Sequence, residues 1–164
     1  MELLPQEKIS PKDVFLHLLA LIALYASAIS FILLIFEYIN ILIPDTLQVG
    51  SSYHYSLDSS HNAIRWYLSM LIVIFPVYAI TNWFLNKNYR MFPEKRNLRI
   101  RKWLIYFTLF LTAIIIISDL VALLYNALGG ELTSRFLLKM ITVFFVAGSI
   151  FGYYFVDIRK HHTE

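Results

Sequence analysis

The sequence predicts an all-α fold, a polytopic membrane protein with four transmembrane helices in an antiparallel bundle, on three observations. Of its 164 residues 59% are apolar and 15% charged, with a mean hydropathy of +0.63, more apolar surface than a water-soluble domain of this length can hide. Those residues gather in four stretches, 14–36, 66–85, 103–125 and 136–156, each near the ~20 residues that carry a helix across about 30 Å of hydrocarbon. The alternating ~10-residue segments of a membrane barrel are absent, and open strands would leave backbone groups unpaired in lipid. The four stretches take 87 of the 164 residues, so the chain reads as one domain over 1–164, and no soluble catalytic domain fits in the remainder.

The first stretch contains a decoy. A short basic start, an apolar run and the small triplet Ala26-Ser27-Ala28 resemble a secretory signal with its cleavage site. The run continues through Phe31-Ile32-Leu33-Leu34-Ile35-Phe36, long enough to span and stay. At about 100° per residue, Ala23, Ala26 and Ser30 align with Glu37, a small-residue face that admits a close neighbour. The connection from Ile41 to His61 carries Pro44, Gly50 and the run Ser51-Ser52-Tyr53-His54-Tyr55-Ser56. It reads as a loop, either a short hairpin or ordered cap or a solvated link with tyrosines at the interface.

The second stretch is free of charge, as is the first. Ser69, Pro76, Ala79 and Trp83 share a side with Arg65, and Pro76 frees the carbonyl of Ile72, predicting a kink at mid-membrane. Pro93-Glu94 starts the third helix before Trp103. On that helix Arg101, Thr108, Thr112, Asp119 and Asn126 fall near one line, interrupted by Ile105 and Ile115. The short turn at Leu128-Gly129-Gly130 makes the third and fourth helices antiparallel neighbours. On the fourth, Arg135 and Lys139 share a face, and the GxxxG of Gly148 and Gly152 lies well around from it, set for packing within the chain or against a second copy.

Eleven of the fourteen basic residues lie near the chain ends and in the middle connection, at Lys8, Lys12, Lys87, Arg90, Lys95, Arg96, Arg99, Arg101, Lys102, Arg159 and Lys160. The positive-inside rule then places both termini and that connection in the cytoplasm, for a multi-pass protein of the cell membrane, the inner membrane of a bacterium. The basic connection can rest on anionic lipid. A nucleic-acid role has nothing else behind it. The chain has no cysteine, which excludes thiol nucleophiles, disulfide exchange and Cys-ligated metals.

The remaining ionisable residues, Glu37, Arg65, Asp119, Arg135 and Lys139, all fall in the outer half. Counting ~1.5 Å per residue, Asp119 and Lys139 share a depth roughly 7 to 11 Å from the midplane, which makes them natural partners, while Glu37, Arg65 and Arg135 form a layer at roughly 16 to 18 Å. Charges so placed are tolerated when paired and facing inward.

The phrases Ala63-Ile64-Arg65-Trp66, Phe75-Pro76-Val77-Tyr78, Pro93-Glu94-Lys95-Arg96, Leu128-Gly129-Gly130-Glu131-Leu132-Thr133 and Gly152-Tyr153-Tyr154, with the run from Arg99 to Tyr106, resemble a bacterial four-helix membrane family classed as a domain of unknown function. The resemblance covers nearly the whole chain. It implies the architecture and no activity.

The sequence leaves several readings of function. A structural or interaction protein, with the outer polar cluster paired and a homo-oligomer or another membrane protein as partner, is one. A small proton or ion conduit through Asp119 and Glu37 is the alternative, since intramembrane ionisable groups often mark pathways. A voltage sensor would carry several arginines on its fourth helix, where only Arg135 and Lys139 appear. Catalysis has no phosphate loop or nucleophile motif behind it, so no enzyme and no cofactor are expected. His17 has no second histidine within a span to share a haem, and His54 with His61, or His161 with His162, would bind metal only adventitiously.

Overall fold

The computed structural model describes residues 10–43, 51–92, 99–130 and 132–161, the side chains of 51–56 and 161 excepted. Pro44, Gly50, Pro93, Glu94, Glu131 and His162 lie outside the described residues. Four helices make up the described chain: α1 (Pro11–Leu42), α2 (Ser51–Met91), α3 (Arg99–Gly129) and α4 (Ser134–His161). Each is long and apolar enough to cross a membrane.

Local chemistry sets the helix ends. Ser10 caps α1, its hydroxyl accepting from the Asp13 amide at 3.3 Å, with Pro11 in the first turn, where a missing amide hydrogen costs nothing. Gly130 ends α3 at φ 73°, a left-handed conformation that glycine adopts without strain. Thr133 opens α4, its hydroxyl accepting from the Phe136 amide at 3.2 Å.

One expectation is corrected. The polar run from Ser51 is helix, so α2 extends over 41 residues, about 60 Å of length at 1.5 Å per residue. Between Gly50 and Pro76 the sequence has neither glycine nor proline, and once the apolar segment is helical each further turn adds at little cost. The helix continues through Pro76.

Helix α1 is the organising element. It packs against each of the other three, α3 packs on α4, and α2 approaches no backbone but that of α1 among the described residues. Its buried residues Ala23, Ser27, Ser30 and Leu34 recur at alternating intervals of four and three, one stripe of a helix. Three of the four are small, which lets neighbouring backbones come close. The antiparallel register of α1 with α2 shows in two contacts, His17 with Tyr89 and Ser30 with Met70; Arg101 with Asp157 does the same for α3 and α4.

The molecule is apolar on its outside. Within the most hydrophobic window of each helix only 11–22% of residues are buried, and Phe15, Trp66, Trp103, Phe110 and Phe145 are each more than 60% exposed. Such a surface is stable against hydrocarbon and not against water. The end that carries Ser10 and His161 is the terminal end below, and the end at Leu42 and Gly130 the loop end.

Candidate functional site

The loop end gathers part of the cluster expected from the sequence. Arg135 on α4 donates from Nε at 3.1 Å and from a terminal nitrogen at 2.6 Å to the Asn40 side-chain oxygen of α1. The Asn40 amide nitrogen lies 3.4 Å from a Glu37 carboxylate oxygen. Lys139, one turn along α4, sits with Nζ 5.3 Å above the ring of Phe36, a cation–π contact. Glu37, Asn40, Arg135 and Lys139 thus share one seam between α1 and α4.

Asp119 and Arg65 stay apart from it. The expected Asp119–Lys139 pair is absent: neither makes an ion pair or hydrogen bond with the other among the described residues, and Lys139 faces α1 instead. Equal depth was a sound inference, but depth does not fix the direction a side chain takes around its helix. Arg65 is exposed. Accordingly Asp119→Asn is expected to leave thermal unfolding in detergent within about 0.5 kcal/mol of the parent, as for a residue without a specific partner, whereas Asn40→Ala costs about 1–2 kcal/mol by removing the acceptor of a charged donor. Parallel melts of the two variants check the contrast.

Gly148 and Gly152 have no close neighbour: a methyl group built on either meets nothing within 4 Å. The GxxxG face of α4 therefore takes no part in packing within the described chain. His61 is exposed, and no group of three metal-binding side chains occurs among the described residues.

The more enclosed polar site is at the terminal end, where all four helices contribute. It surrounds a cavity of about 110 Å³, room for several water molecules or a small polar group. Five residues form its frame. His17, on α1 and buried, has Nδ1 at 2.6 Å from the carbonyl oxygen of Asp13. A carbonyl only accepts, so Nδ1 carries the hydrogen, and in the neutral ring Nε2 is left as an acceptor. Nε2 meets the hydroxyl of buried Tyr89 on α2 at 2.5 Å, which makes the tyrosine the donor. Arg101 on α3 lies with Cζ 5.0 Å over the Tyr89 ring and donates to Asp157 on α4 at 2.9 Å. The side chains of Arg101 and Asp157 are 15% and 25% exposed, enough desolvation to strengthen the pair over a surface one.

Thr108 closes the inner wall. It is fully buried, and its hydroxyl donates to the Leu104 carbonyl at 2.9 Å, so at 2.8 Å from Tyr25 it accepts the tyrosine's hydrogen. Thr108→Val keeps the shape and removes that acceptor, with an expected cost of about 1–2 kcal/mol, read as a lower unfolding midpoint that Thr108→Ser largely restores.

Tyr78, Asn82, Tyr153 and Tyr154 also line the cavity. None of their side chains makes a hydrogen bond to the described protein. The walls therefore divide into groups committed to one another and groups with donors and acceptors to spare.

Sequence reasoning passed over this site. His17 stood out only as a histidine lacking a second histidine, and Arg101 counted toward topology. The signal was present in the α3 line Arg101, Thr108, Thr112, whose two threonines are buried here.

A family model matches residues 13–154 of the chain, under the description Domain of unknown function, DUF5671. The chain belongs to the DUF5671 family. The DUF5671 match takes in every cavity residue named above except Asp157. No curated protein and no solved structure matches the chain.

Proposed function

We propose that this protein is a membrane-embedded binding protein whose cavity at the terminal end receives a small, uncharged polar group. The observation behind it is the division of the cavity walls. His17 is bonded to Tyr89, Arg101 to Asp157, and Thr108 to Tyr25 and the Leu104 carbonyl, while Tyr78, Asn82, Tyr153 and Tyr154 keep unspent side-chain hydrogen-bonding groups around an open volume. Tyr153 is 60% exposed and the other three are half-buried, so their hydrogen-bonding groups are open to a guest, and a few convergent polar groups in a cleft are the usual way a ligand site fixes orientation.

The positive-inside distribution orients the terminal end toward the cytoplasm, which sets the cavity within reach of the inner leaflet. Neutrality of the guest follows from the charges: Arg101 is engaged by Asp157, so an anion would meet a carboxylate and a cation a guanidinium. The loop-end seam of Glu37, Asn40, Arg135 and Lys139 suits a structural lock between α1 and α4. A conduit through Asp119 and Glu37 is less well supported, since the two carboxylates share no hydrogen-bond partner among the described residues.

Native mass spectrometry of the protein extracted in polymer nanodiscs tests the reading. The parent is expected to carry a small bound molecule that Asn82→Leu loses at unchanged fold. An empty parent, or equal retention by both, overturns it.

A further inference from the structure

We infer that the cavity is opened by a proton: while His17 is neutral it clasps α2 through Tyr89, and when it takes up a proton the terminal half of α2 swings about Pro76 and frees the guest. The inference rests on the binding reading above and adds the regulation of that site.

The order of hydrogen bonds carries it. His17 lines the cavity, with Nδ1 donating to the Asp13 carbonyl and Nε2 accepting from the Tyr89 hydroxyl. Both nitrogens are spent, and only the neutral ring fits, because an imidazolium carries a hydrogen on each nitrogen. With Nε2 protonated, the tyrosine must turn its own hydrogen away and find another acceptor. The charged groups facing His17 and Tyr89 are Asp13 of α1, Arg101 of α3 and Asp157 of α4. Arg101 only donates, Asp157 is bonded to it at 2.9 Å, and neither Asp13 nor Asp157 is free. Tyr89 is buried, so a hydrogen left over there is costly, and outward movement of α2 gives it to water.

The fold allows that movement. Helix α2 approaches the backbone of α1 and not that of α3 or α4 among the described residues. The walls it carries, Tyr78, Asn82 and Tyr89, therefore meet α3 and α4 through side chains, as Arg101 does over the Tyr89 ring. Pro76 lies within α2 and has no amide hydrogen for the Ile72 carbonyl, the usual cause of a bend in a helix. All three wall residues lie on its terminal side. Tyr89 is 13 residues beyond Pro76, about 20 Å along the helix, so a tilt of about 10° carries it roughly 3 Å, enough to break the bond to His17 and part the wall.

Protons reach the clasp from the terminal end. His17 lies about 12 Å from the centre of the first apolar stretch at 1.5 Å per residue, near the edge of the hydrocarbon. The closed form holds the neutral ring and the open form takes a proton, so the closed form gains with rising pH and is lost as the pH falls below the ordinary imidazole value of about 6.5.

The chain has no cysteine, so Arg90→Cys on α2 and Lys102→Cys on α3, both exposed, place one spin label on each side of the clasp. Electron spin resonance in phosphatidylcholine nanodiscs reads the distance between them, and native mass spectrometry reads the bound guest in the same samples. Between about pH 7.5 and about pH 5.5, where an imidazole is the side chain that ordinarily titrates, a longer distance is expected to gain population as the guest is lost. The ratio of open to closed rises by up to about ten-fold for each pH unit below about 6.5, the slope of one proton. His17→Gln is expected to abolish the response, and Tyr89→Phe, with no hydroxyl to turn, to reduce it. Pro76→Ala restores the missing amide hydrogen and is expected to damp it, and a full response in that variant overturns the hinge. Distances in the parent that ignore pH, or a response in His17→Gln or Tyr89→Phe equal to the parent's, overturn the clasp, and a guest bound at about pH 7.5 then leaves the cavity reading standing. A response that needs His17 in a protein carrying no guest at either pH overturns the cavity reading and leaves the clasp.

Discussion

Asp157→Ala is expected to lower the stability of the detergent-solubilised protein by about 2–4 kcal/mol, because it leaves the Arg101 guanidinium partly desolvated and without its carboxylate. The 2.9 Å bond joins α3 to α4, and Arg101 in turn lies over the Tyr89 ring, so the loss extends to α2. Partial exposure of both side chains keeps the cost toward the lower end of that range. A double variant, Arg101→Leu with Asp157→Leu, removes both charges and is expected to recover most of the loss, since an apolar pair of similar volume often replaces an ion pair without penalty. Chemical denaturation of the parent, Arg101→Leu, Asp157→Leu and the double variant forms a cycle. A strictly additive cycle would show that the two charges do not interact.

Tyr89 carries the second large effect. Tyr89→Ala is expected to cost about 3–5 kcal/mol, the usual figure for emptying a buried aromatic position, with further loss of the cation–π support under Arg101. Tyr89→Phe keeps the ring and removes only the hydroxyl that donates to His17 Nε2. Its expected cost is about 1–2 kcal/mol. The pair of variants separates packing from hydrogen bonding: equal destabilisation by both would assign the whole effect to the hydroxyl and contradict the burial of the ring at 6% exposure.

Much of this architecture is legible in the sequence because the bilayer imposes a length and a composition on each span. The four apolar stretches lie inside the four helices, the Gly129-Gly130 turn makes neighbours of α3 and α4, and α1 presents small residues to its partners. The start of α2 was not legible, since a polar segment of ordinary helix formers reads alike as loop or as helix when nothing breaks it.

The candidate site was harder to read for a different reason. Rarity in lipid drew the eye to Glu37, Arg65, Asp119, Arg135 and Lys139, and the structure joins three of these with Asn40 at the loop end. The cavity at the other end is lined by tyrosines, asparagines and a histidine that carry no such cost, and by Arg101 and Asp157, which lie near helix ends where charge is ordinary. His17 and Tyr89 are 72 positions apart, and only the pairing of α1 with α2 in a particular rotation brings them together. Periodicity gives the face of each helix, and the meeting of faces is a property of the packed chain.

The most direct measurement is native mass spectrometry of the parent beside Asn82→Leu and Tyr154→Phe in polymer nanodiscs. The account predicts a small bound molecule on the parent that Asn82→Leu loses and Tyr154→Phe holds less well, both at unchanged circular dichroism and unfolding midpoint. A parent that carries nothing, or variants that carry as much as the parent, would contradict it.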